Sequence, residues 1–134
     1  MAAYSGTPLV QKLGIQPGMK IWLWQAPHAY DKWVGAKVRL QLCSARQTPD
    51  LVHLFAASVQ QMETLMLKLK PVIARNPKLV IWVSWYKNSS KIPTDLTEDM
   101  IRDYALSNGL VDVKVCAVND EWSALKLVVP LKNR

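Results

Sequence analysis

Glycine is scarce in this chain, with five among 134 residues and none between Gly18 and Gly35. The gap follows residues 19–24, which read as the first buried strand of an open α/β sheet. A glycine-rich loop after such a strand lets backbone amides approach a phosphate or cofactor. Here the strand runs instead into Gln25-Ala26-Pro27-His28, so no cofactor is expected. Cysteine is also rare. Cys43 and Cys116 stand far apart, outside any CxxC or Cys/His cluster, which points to buried reduced thiols and to no metal. Long apolar runs are missing: residues 79–85 are broken by Ser84 and are too short to span a bilayer. Residues 1–8 carry neither the basic start nor the apolar stretch of a signal peptide, so the expected location is cytoplasmic, with no membrane partner. Acidic residues are absent from 65–93, where Lys68, Lys70, Arg75, Lys78, Lys87 and Lys91 all fall. With a formal charge of +7, this stretch is a candidate basic face for an acidic protein, a phosphorylated small molecule or nucleic acid. The plain alternative is a solvated helix face plus two loops, since no arginine cluster or aromatic ladder accompanies the lysines.

What is present describes a core. Half of the residues are hydrophobic, six of them tryptophan, and a chain of this length is expected to form one domain over 1–134 that buries roughly two-thirds of its unfolded surface. Thr7, Pro8 and Gly14 suit the cap, first turn and stop of a short helix. Residues 38–43 alternate apolar and polar, as a half-exposed strand does. Residues 51–57 are a mostly apolar strand, and Ser58 with Gln61 forms a capping box for a helix through Val59, Met62, Leu65, Met66 and Leu69. Pro71 is expected to kink or end that helix, and Asn76-Pro77 to stop it. Residues 79–85 have the continuous apolar, β-branched character of a central parallel strand. Asp95 with Glu98 is expected to cap the next helix, which Gly109 ends. Strands at 110–118 and 125–131 follow, joined so closely that they must be antiparallel neighbours. Strands alternating with helices predict an α/β three-layer Rossmann-like sandwich, mainly parallel, with a C-terminal antiparallel hairpin.

Two resemblances accompany this reading. Leu13 to Leu23 resembles the start of the first motif of S-adenosylmethionine-dependent methyltransferases, which implies a reduced form of that Rossmann-like fold. That family continues with an acid and glycines where this chain has Trp24, Gln25, Ala26 and Pro27. Its ribose-holding acid after strand two is replaced by Leu42, Cys43, Ser44 and Ala45, so none of its functional residues has a position here to occupy. A second resemblance covers nearly the whole chain. Tyr4-Ser5-Gly6-Thr7-Pro8-Leu9, Lys12-Leu13-Gly14-Ile15, Val52-His53-Leu54-Phe55, Trp82-Val83-Ser84-Trp85, Pro93-Thr94-Asp95-Leu96-Thr97-Glu98-Asp99 and Gly109 through Cys116 are similar, in order, to a family of small bacterial proteins known only as a domain of unknown function. Ser123-Ala124-Leu125 departs from the Ser-Gly-Leu of those relatives. This resemblance implies a bacterial cytoplasmic protein and brings no activity, cofactor or partner.

Ligands of open α/β sheets bind beyond the carboxyl ends of the strands. The residues expected there are His28, Tyr30, Ser58, Trp85, Lys87, Ser89 and Lys91, with Thr94 and Asp95 approaching from the next loop. Lys87 and Lys91 around Asn88-Ser89-Ser90 could hold a phosphate by charge and hydroxyl donors. Each residue has an ordinary explanation beside the functional one. Ser58 and Asp95 are helix caps, Glu98 and Asp99 offset a helix dipole, and His53 sits in a strand as a satisfied, half-buried histidine. His28, entering a loop, is better placed for acid–base work, although only Asp31 lies near it in sequence. No Gly-x-Ser-x-Gly elbow supports a serine nucleophile, and no catalytic set is read. Trp22 and Trp24 share one face of their strand, while Trp82 and Trp85 point to opposite faces. Trp33 and Trp122 are expected as exposed anchors for a partner. The resulting expectation is a non-catalytic Rossmann-like binding or interaction module. Its alternatives are a small enzyme or sensor for a phosphorylated or nucleotide-like molecule, and a weak nucleic-acid binder through Lys68, Lys70, Arg75 and Lys78.

Overall fold

A computed structural model describes residues 8–34 and 41–134. Along the chain come α1 (Leu9–Leu13), β1 (Lys20–Trp24), α2 (Tyr30–Val34), β2 (Gln41–Leu42) and β3 (Leu51–Phe55), then α3 (Val59–Arg75), β4 (Val80–Tyr86), α4 (Glu98–Ser107), β5 (Val111–Ala117) and β6 (Trp122–Val128). The six strands form one sheet in the order β2-β1-β3-β4-β6-β5. The first four are parallel, and β6 runs antiparallel to both β4 and β5. The reversed strand therefore sits one place in from the edge.

Side-chain alternation divides the core in two. On one face Val52, Leu54, Ile81 and Val83 meet Met62, Leu65, Leu69 and Val72 of α3 and Ile101 and Ala105 of α4. On the other, Leu51, Phe55 and Trp82 meet Leu9 and Leu13 of α1 and Tyr30 and Val34 of α2. β3 is buried along its whole length, as expected for a strand with neighbours on both sides and helices on both faces. Trp82 and Trp85 do face opposite ways: Trp82 belongs to the α1/α2 side and Trp85 to the α3/α4 side.

Several boundaries differ from the sequence expectation. α3 continues through Pro71 to Arg75. A proline inside a helix costs ~3 kcal/mol, but Leu69 and Val72 on either side of it are fully buried, and each such side chain contributes ~1.5–3 kcal/mol. Burial of the flanking residues therefore holds the helix together, while Pro71 itself faces solvent. Asn76 does end it. The final strand begins at Trp122 rather than at 125 and stops at Val128, so Trp122 lies in the sheet. Of the strand expected at 38–43, Gln41–Leu42 forms β2, while 38–40 lie outside the described residues, as does Thr7. The α1 N-cap is Pro8, and Gly14 closes the helix in the left-handed conformation at φ 76°.

Candidate functional site

The strand order reverses around β1, whose neighbours are β2 on one side and β3 on the other, so the crevice of an open α/β sheet lies at the carboxyl ends of β1 and β3. β1 leaves the sheet at Trp24, and Gln25 turns the chain with φ 61°, a left-handed conformation that costs a non-glycine residue about 1–2 kcal/mol. β3 leaves at Phe55 and leads into α3. Ser58 caps that helix, its Oγ accepting from the Gln61 amide at 3.1 Å, and Gln61 reaches back to accept from the Ala57 amide at 2.8 Å.

The same helix end receives a second cap from far along the chain. The Val59 amide donates to Asp95 Oδ1 at 2.9 Å, and Thr94 Oγ1 donates to the Ala57 carbonyl at 2.7 Å. Asp95, expected to open α4, thus caps α3 instead. Thr97 caps α4, accepting from the Met100 amide at 3.3 Å. Asp95 and Thr97 are both good capping residues, so the local pattern alone could not assign them. The consequence is chemical: the positive end of the α3 dipole, where an anion would gain, already holds a carboxylate of this chain.

Behind this crevice lies a buried polar chain. Tyr30 Oη lies 2.8 Å from His53 Nδ1, and His53 Nε2 lies 2.6 Å from Ser84 Oγ. All three side chains are buried, and Phe55 stacks on the imidazole at 4.4 Å. Burial pushes His53 down to about 3 and pushes the Tyr30 phenol up, with Cys116 and Asp31 adding to the latter. His53 is therefore neutral at ordinary pH, with one ring nitrogen donating and the other accepting. This order of hydroxyl, imidazole and phenol resembles an acid–base relay, but it is sealed inside the α1/α2 side of the core. Tyr30, expected in the crevice, is instead a core residue, and His53 is fully rather than half buried.

A groove of about 670 Å³ opens at the carboxyl end of β4. It gathers Trp85, Lys87 and Ser89, as the sequence pattern predicts, and adds Thr97, Glu98 and Asp99 from the start of α4 and Ser123 from β6. Arg102 binds both acids, through Nη2 to Glu98 and through Nη1 to Asp99 Oδ1 at 2.8 Å, and its Nε donates to Asp112 Oδ2 at 3.0 Å. The bond from Arg102 holds the Asp112 carboxyl below the usual carboxylate range. His28 and Lys91 are exposed and lie outside this groove, and Ser58 is engaged in its cap. A second groove of about 310 Å³ lies between the end of β1 and α3, lined by Trp24, Gln25, Gln60, Thr64 and Lys68 among others. Lys68 Nζ stands 5.0 Å from the centroid of the Trp24 ring.

The expected partner-facing tryptophans are placed differently. Trp122 is only 6% exposed, stacked on Tyr86 at 4.0 Å and edge-on to Phe55 at 5.0 Å. Its place at the first position of β6 turns the ring into the α1/α2 side of the core, so it is no exposed anchor. Trp33 is half-buried against the same cluster. The basic residues do not converge either. Lys68 stands by Trp24 at the carboxyl end of the sheet, Lys70 and Arg75 lie farther along α3, and Lys78 lines a groove with Pro17 and Asp50 at the opposite end.

No family model and no curated protein matches this chain. Solved structures do match it. A protein of Streptococcus agalactiae described as belonging to the NADB-Rossmann superfamily superposes with a TM-score of 0.51 at 10% identity, covering 96% of this chain and 70% of that one. The fold is Rossmann-like. An uncharacterised protein of Listeria monocytogenes serotype 4b shares it, with a TM-score of 0.57 at 8% identity over 95% of this chain and 69% of that one. At such identities the likeness is one of fold alone. Among the described residues no helix of this Rossmann-like chain is long and apolar enough to cross a membrane, and no three His, Cys, Asp or Glu side chains stand together to hold a metal.

Proposed function

We propose that this chain is a single-domain, three-layer Rossmann-like module that works by binding rather than by catalysis. The observation that carries this reading is the double capping of α3: Ser58 and Asp95 occupy a helix end at the crevice where an anion would otherwise gain from the dipole. The glycine-free turn at Gln25 supports it, and so does the enclosure of His53, a potential acid–base group, away from every described groove. The test is calorimetric titration with S-adenosylmethionine and with NAD. The expected result is no binding at millimolar concentration. Stoichiometric binding of either would overturn the reading.

The groove of Trp85, Lys87 and Ser89 supports a second reading, a small-molecule sensor at the carboxyl end of the sheet. Glu98 and Asp99, which Arg102 bridges, line the same groove as Lys87, so a ligand with both a charged and a hydrogen-bonding part fits this mixed lining better than a bare phosphate. On this reading a ligand that raises the melting temperature does so in the parent protein and not in Lys87→Ala.

A further inference from the structure

The groove at the end of β1 differs from the one over β4 in its chemistry. Its floor is Trp24, half-buried and paired with Trp22 at a ring-centroid distance of 4.6 Å. Alternation along β1 turns both indoles toward the face that α3 covers over β3, where they border the first core cluster without being fully enclosed. The wall is one flank of α3, with Gln60 and Thr64 supplying amide and hydroxyl groups and Lys68 supplying a cation. Among the described residues no carboxylate lines it. The groove sits at the reversal of strand order, and the strained backbone of Gln25 forms its rim. Its volume of about 310 Å³ is at the lower end of small-molecule sites, enough for one or two fused rings.

We propose that this groove binds a small aromatic anion, a single or fused ring bearing a carboxylate or a phosphate. The ring takes the place over the Trp24 indole that the Lys68 ammonium now holds, and the ammonium, displaced to the ring edge, meets the anion. Gln60 and Thr64 offer hydrogen bonds to the ring edge or to the anion. The proposal deepens the reading of the chain as a binding module and depends on it.

The test is ligand-detected NMR and calorimetry with indole-3-acetate and phenyl phosphate, on the parent protein and on Lys68→Gln and Trp24→Leu. Lys68 is exposed, so Lys68→Gln keeps the fold, which circular dichroism checks in each variant. At least one probe is expected to bind the parent protein, and about tenfold more weakly to Lys68→Gln. Indole-3-acetamide, which lacks the charge, is expected to lose a similar factor. Phenylacetate against phenyl phosphate, which share one ring, decides between carboxylate and phosphate. Failure of both at millimolar concentration, or equal binding to Lys68→Gln, overturns the proposal. So does binding of a thymidine oligonucleotide alone, which assigns this face to single-stranded nucleic acid. Cofactor titration reads out separately: binding of S-adenosylmethionine would overturn the functional reading whatever the aromatic probes do.

Discussion

His53 has both ring nitrogens engaged inside the core, between the Tyr30 phenol and the Ser84 hydroxyl, and protonation would place an unpaired charge there. Its folded value of about 3 lies below the ~6.5 of an unfolded histidine. Because the folded value is depressed, its stabilising effect is complete above the unfolded value and is lost as pH falls toward the folded one. Between those limits the unfolded chain binds the extra proton. Urea unfolding is expected to show a loss of about 2 kcal/mol from this group between pH 7 and pH 5, and His53→Gln should flatten that dependence. Ser84→Ala is a separate test. It leaves His53 Nε2 buried without its partner, a loss of about 1–3 kcal/mol in unfolding free energy at pH 7. His53 and Ser84 were each visible in the sequence as polar residues inside apolar strands. Their pairing was not, because it depends on register: His53 lies opposite Trp82, which places Ser84 diagonally across on the same face.

At the scale of elements, α3 shows how local rules and packing compete. Ser58 was legible as its cap because the interaction spans three residues. Asp95 was assigned to the wrong helix because its true partner, Val59, is 36 residues away. Removing it in Asp95→Ala should cost about 1 kcal/mol. Hydrogen exchange should then quicken at the start of α3 while the first turn of α4 stays protected by Thr97, which local capping by Asp95 would not produce. Pro71→Ala tests the other departure. The position is exposed and helical, so restoring an amide donor should stabilise the protein by about 1–3 kcal/mol in thermal or denaturant unfolding. Loss of stability there would mean that Pro71 makes a contact the helix needs.

Across the whole molecule, a long-range tie holds α1 to the sheet. Trp82 Nε1 donates to the Leu13 carbonyl at 2.9 Å and links α1 to β4 across 69 residues. Trp82→Phe keeps most of the ring volume but removes that donor, and is expected to cost about 1–3 kcal/mol in unfolding free energy. Exchange should loosen first in α1. The outer edge is handled by a bulge: Asp112 pairs with Leu127 and Lys114 with Lys126, which leaves Val113 as an extra residue, 51% exposed. That irregularity on the edge strand interrupts the flat ladder another chain would need for pairing.

By itself the sequence determined most of the strand and helix pattern, the Rossmann-like class, the Ser58 cap of α3 and the position of Trp85, Lys87 and Ser89 at the end of the fourth strand and just after it. These depend on periodicity and on neighbours a few residues apart. The tertiary structure decided which helix Asp95 caps, that Tyr30 and Trp122 belong to the core, that the lysines spread along α3 toward both ends of the sheet, and that Trp24 meets Lys68. Each of these is a contact between segments distant in the chain. Strand order, register and helix docking set them, and those are chosen by the burial of the whole core rather than by any local pattern.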